Sequence, residues 1–81
     1  MTHHPEIWGC ILENLVSGRW TSLNEIYDIV ERNLTLDRED FKPQSPTSNG
    51  PKWKRNVRNV LHYRNKKTGD IDWNGQEMYR V

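Results

Sequence analysis

Arg55, Arg58, Asn59 and His62 recur at i, i+3, i+4 and i+7, so a helix would project all four from one side. Their chemistry is hydrogen bonding to base edges. A guanidinium can donate two parallel bonds to guanine, and a carboxamide can donate to and accept from adenine. His62 adds an imidazole. Bases cluster around these four. The run from Pro51 to Lys67 holds seven of the chain's twelve Lys and Arg residues and no acid. Lys52, Lys54, Lys66 and Lys67 flank the four and suit phosphate, a contact that positions without reading sequence. An ordinary solvated basic face is the alternative reading of such a run.

A helix is the element that would position them. Trp53, Val57, Val60 and Leu61 form an apolar stripe at i, i+4, i+7 and i+8 on the opposite side. The spacing predicts a helix from Pro51 or Lys52 to Asn65, ended by Lys66-Lys67-Thr68-Gly69 with bases in the last turn and a glycine stop. One face docks on a core while the other is offered to a polyanion, which is the layout of a DNA-recognition helix.

The net charge of +1 implies nothing about nucleic acid, but its distribution does. Residues 1–50 carry −4, residues 51–67 carry +7 and residues 68–81 carry −2. Such a basic stripe steers polyanions even at low net charge. At 81 residues one small domain is expected. A domain of this size buries only about 60% of its unfolded surface, so Trp8, Trp20, Trp53 and Trp73 are all expected to serve the core. With one cysteine no intrachain disulfide forms, and reducing cytoplasm is the expected setting. No apolar run approaches the roughly 18 residues of a membrane span, and no signal-peptide pattern opens the chain. His3 and His4 read as a short tail or a helix entry, and with Cys10 they lack the repeated spacing of a zinc site. No metal or cofactor is expected. Without a nucleophile–base set, binding rather than catalysis is expected.

Ile7, Trp8, Ile11, Leu12 and Leu15 predict a first helix from Pro5 to Ser17, with Gly18 as a left-handed cap. Arg19-Trp20-Thr21 reads as one rung of a small sheet. Ser22 and Glu25 form a capping box that opens a second helix, Leu23 to Arg32. Glu25, Asp28 and Glu31 make its outer face acidic. The stretch at about 34–50 has loop composition. Leu34, Leu36 and Phe41 are expected against the core, with one helical turn from Asp37 to Phe41. First proteolytic cuts are expected between Lys42 and Pro51. Asp70 to Trp73 and Gln76 to Val81 alternate as strands around Asn74-Gly75. An odd-numbered loop, with Gly75 as its bulge, is needed to put Ile71, Tyr79 and Val81 on one face. Asn74, Gly75 and Gln76 would then form a tip able to enter a groove. Asp70, Asp72 and Glu77 would oppose phosphate there, unless Asp70 or Asp72 pairs with Arg80 across the strands.

Three helices, the third basic, followed by a β-hairpin is the order of a winged helix-turn-helix domain. The expected class is α+β, mainly α, with 1–81 as a single domain. The residues also resemble a family. Gly50, Trp53 and Val57-Arg58, then Leu61, Gly69, Ile71 and the closing Gly75…Tyr79-Arg80-Val81, look like the winged-helix modules of restriction systems. The N-terminal domain of Mrr-type endonucleases and the C-terminal domain of Dam-replacing endonucleases are the most similar. The resemblance runs loosely over 5–81 and best over 50–81, and it covers no nuclease domain. It implies double-stranded DNA binding, with the third helix in the major groove and the hairpin as wing. Arg64 departs from that group, which has Leu there. It lies on the buried stripe, so it is expected to snorkel or pair with an acid and not to touch DNA. The expected role is a small transcriptional regulator or a target-recognition module. Its partners would be duplex DNA and either a second copy or a nuclease, with no membrane. A protein-interaction module using the acidic second helix is the alternative.

Overall fold

The computed structural model describes residues 3–43 and 50–81. The expected cleavage stretch falls mostly on 44–49, outside the described residues. The elements in chain order are α1 (His4–Asn14), β1 (Thr21–Ser22), α2 (Leu23–Asn33), α3 (Arg38–Phe41), α4 (Lys52–Lys66), β2 (Asp72–Trp73) and β3 (Met78–Arg80). The class is α+β, mainly α, with one three-stranded antiparallel sheet ordered β1-β3-β2. The short turn expected at Asp37–Phe41 is α3.

A single cluster joins α1, α2, α4 and the sheet. Ile7, Ile11, Ile26, Val30, Val57 and Leu61 are fully buried, with Leu15, Val60, Ile71 and Tyr79 nearly so. Leu23 is half-buried against them. Each helix contributes the stripe its periodicity marks. At the far edge of the α1 arc Leu12 remains 51% exposed, while Cys10 is buried on the near side.

α1 stops at Asn14, short of the expected Ser17. A distant contact is the reason. Leu15 turns extended and stays buried, and the chain is then drawn to its own last residue. The Gly18 N–H donates to the Val81 carbonyl at 2.8 Å, and the Ser17 hydroxyl donates to the same oxygen. Gly18 has positive φ but lies in the following turn instead of capping the helix.

Ser22 caps α2 as expected, its hydroxyl accepting from the Glu25 N–H at 3.2 Å. The Glu25 carboxylate pairs with Arg19 instead of closing the box. A full box occurs at α3, between Asp37 and Asp40. That arrangement turns Asp40 inward, 1% exposed, and leaves Phe41 outside at 54%, against expectation. Adjacent residues on a single helical turn point about 100° apart. Leu34 and Leu36 do pack on the core.

After α4, Gly69 takes φ 71, a conformation a Cβ would strain, and the Asp70 N–H returns to the Arg64 carbonyl at 2.7 Å. The hairpin register pairs Asp72 with Arg80 and Trp73 with Tyr79. Asn74 then bonds to Met78, leaving three loop residues, Gly75 to Glu77, an odd count. Gly75 has φ 88 and opens this loop. Ile71, Trp73, Tyr79 and Val81 therefore share one face.

Trp8 and Trp53 belong to the core. Trp20 and Trp73 do not, at 37% and 38% exposed. Both sit at the small sheet, where Arg80 and Lys66 respectively lie over their rings. The sheet is too short to cover two more indoles.

Candidate nucleic-acid interface

Fifteen residues of α4 arrange the predicted side chains around one axis. Trp53, Val57, Val60 and Leu61 are buried, while Arg55, Arg58, Asn59, His62 and Lys66 are exposed. At about 100° per residue the exposed five span roughly one third of the circumference, opposite the buried stripe. Lys67, the C-cap, is exposed on the flank.

Anchoring of α4 comes from both ends. At its start the Lys52 ammonium lies 2.6 Å from Glu39, which also binds Lys42, and the Lys52 N–H donates to the Lys42 carbonyl. These hydrogen bonds, first from Lys52 and then Lys42, hold Glu39 below the usual carboxylate range. Lys52 is thus committed within the fold. Lys54 is half-buried, its ammonium 5.1 Å from the Tyr27 ring centre and 5.7 Å from that of Trp53.

At the other end Arg64 does what its place on the stripe implies. Its guanidinium covers Trp8, pairs with Asp70 at 3.1 Å and donates from Nε to the His4 imidazole at 3.1 Å. His4 is therefore part of the fold and not a tail; it also meets Tyr63 edge to face. Burial, and then the Arg64 charge, lower its pKa from the ordinary 6.5. An imidazole harder to protonate when folded contributes stability that is fully present above its unfolded pKa and is lost as pH falls from there through the lower folded pKa. The denaturation midpoint should accordingly drop as pH falls below the ordinary histidine value of about 6.5, and drop less in His4→Gln. Equal declines in chemical denaturation would show that His4 is not the group responsible. Asp70 is held below its ordinary value by the Thr68 hydroxyl and then by Arg64, so its effect falls at lower pH.

Arg58 is steadied from α2. Its Nη1 lies 3.5 Å from the Tyr27 hydroxyl, leaving most of the guanidinium outward. Burial raises the Tyr27 pKa, with Arg58 acting in the opposite sense. The side chains of Asn59 and His62 have no hydrogen-bond partner among the described residues. Arg58, Asn59, His62 and Asn65 face Trp73 and Tyr79 of the hairpin across a cleft of about 250 Å³.

The hairpin tip is built largely for itself. The Asn74 side-chain oxygen accepts from the Gln76 and Met78 N–H groups at 2.8 and 3.2 Å. Asn74, Gly75 and Gln76 are exposed. Two acids that would oppose phosphate are neutralised, since Asp72 is bound by Arg80 at 2.9 Å and Asp70 by Arg64. Sequence reasoning missed Trp73, Tyr79 and Asn65 as neighbours of the predicted cluster. The parity argument held the signal, because the face it gives to Ile71 and Tyr79 also takes Trp73.

In comparisons with known proteins, the chain matches no family model, no curated protein and no solved structure.

Proposed function

We propose that this protein binds double-stranded DNA as a winged helix-turn-helix domain, with α4 in the major groove and β2–β3 as the wing. It acts by binding, as a small transcriptional regulator or as the target-recognition module of a restriction-type system. One observation carries the reading: Arg55, Arg58, Asn59 and His62 are exposed together on one face of a helix whose other face is locked into the core. That supplies bidentate and amide groups for base edges on a rigid support. The neutralised acids of the hairpin remove an obstacle to a nearby strand.

Within this reading the lysines divide by their contacts. Lys66 and Lys67 are exposed at the helix end and suit phosphate. Changing both to Ala should weaken all duplexes alike and lower the salt slope by about 0.9 per lost contact. The test is a binding titration across several salt concentrations with a random duplex and a selected one. An unchanged slope would remove both lysines from the interface. No binding of the unmodified protein to either duplex at low salt would remove the DNA reading. Binding to a protein partner without DNA would then favour an interaction module.

A further inference from the structure

The cleft between α4 and the hairpin adds to the base-reading row an aromatic wall that paired DNA does not use. Its aromatic wall is fixed. Trp73 lies nearly parallel to Tyr79, 14° between planes with centres 6.4 Å apart, and its indole N–H is held on the Gln76 carbonyl at 2.8 Å. Its polar wall is uncommitted. The side chains of Asn59 and His62 have no partner among the described residues, and the Asn65 amide nitrogen donates to the Ile71 carbonyl while its side-chain oxygen is not used there. Arg58 adds positive charge. Lys66 extends it over the indole, 5.8 Å from the ring centre.

A planar ring with hydrogen-bonding edges fits both walls. The volume of about 250 Å³ is below the roughly 300–1,000 Å³ of sites for drug-sized ligands, which points to one ring system. A base inside a duplex has both faces covered by its neighbours, so it offers nothing for an indole to stack on. An unpaired base offers a face to the aromatic wall and its pairing edge to amide and imidazole.

We propose that the cleft lined by Arg58, Asn59, His62, Asn65, Trp73 and Tyr79 seats a single unpaired nucleobase of a bound DNA strand. The proposal rests on the DNA-binding reading above. It adds that this protein distinguishes DNA carrying an unpaired base from uniform duplex.

The test uses duplexes of one sequence: fully paired, with a single-base bulge, and with the same bulge made abasic. The unmodified chain should bind the base-containing bulge about tenfold more tightly than the abasic one, from stacking of one base. Trp73→Ala should bring that ratio close to one, while Trp73→Phe keeps most of it. Equal affinity for the two bulges would overturn the proposal, as would a preference that survives in Trp73→Ala. If Trp73→Ala fails to fold, by circular dichroism, the abasic comparison and Trp73→Phe decide. Paired duplex bound normally with the two bulges alike removes only the cleft assignment. No binding to any of the three at low salt removes the DNA reading with it.

Discussion

Leu61→Ala is expected to lower the free energy of unfolding by about 2–5 kcal/mol. Leu61 is fully buried in α4, within the cluster that holds α1, α2, α4 and the sheet together. Truncation removes its transfer energy and leaves a cavity that helix-anchored neighbours cannot readily fill. Whole domains are stable by only about 5–15 kcal/mol, so the variant should show a large shift of its midpoint in urea, with little change in slope. The same side chain fixes the rotation of α4 about its axis. Loss of the proposed DNA binding should therefore follow loss of structure and be restored where the variant is refolded by an osmolyte such as sucrose. A midpoint equal to that of the unmodified protein would place Leu61 outside the core.

Arg58→Ala should flatten preference among duplex sequences. One bidentate contact contributes about 1–3 kcal/mol of discrimination, equivalent to about fivefold to 150-fold in relative affinity. Arg58 lies at the edge of the exposed face nearest α2, and the Tyr27 hydroxyl at 3.5 Å limits where its guanidinium can swing. Arg58→Lys separates charge from shape, because lysine keeps the cation and loses the planar fork. It should retain affinity for a scrambled duplex while losing preference for a selected one. Titration of both duplexes at one salt concentration is sufficient. Equal losses on both for Arg58→Ala would make it a phosphate contact.

Much of α4 was legible because its signal is local. The spacing of Trp53, Val57, Val60 and Leu61 reports which side is apolar, and the same spacing places Arg55, Arg58, Asn59 and His62 opposite. The boundary of the helix agreed to one residue at its end. Hairpin parity was legible for a similar reason: strand side chains alternate, so the loop count follows from which residues must share a face. Charge at Arg64, on an apolar stripe, was enough to demand snorkelling or an acid, and the structure supplies the acid.

What the amino-acid order determined by itself was thus the type of each long element, its buried face and the exposed cationic row. Partner choice between distant segments was decided only in three dimensions. Val81 ends α1 early by receiving the Gly18 N–H, and Glu39 takes Lys52 away from solvent. His4 meets Arg64 across 60 positions of sequence. Trp73 stays at the surface beside Arg58 and His62, where the chain pattern alone placed it in the core. The physical reason is common to all four. Periodicity records how a residue is oriented on its own element, whereas a hydrogen bond, an ion pair or a cleft depends on which other element arrives opposite it.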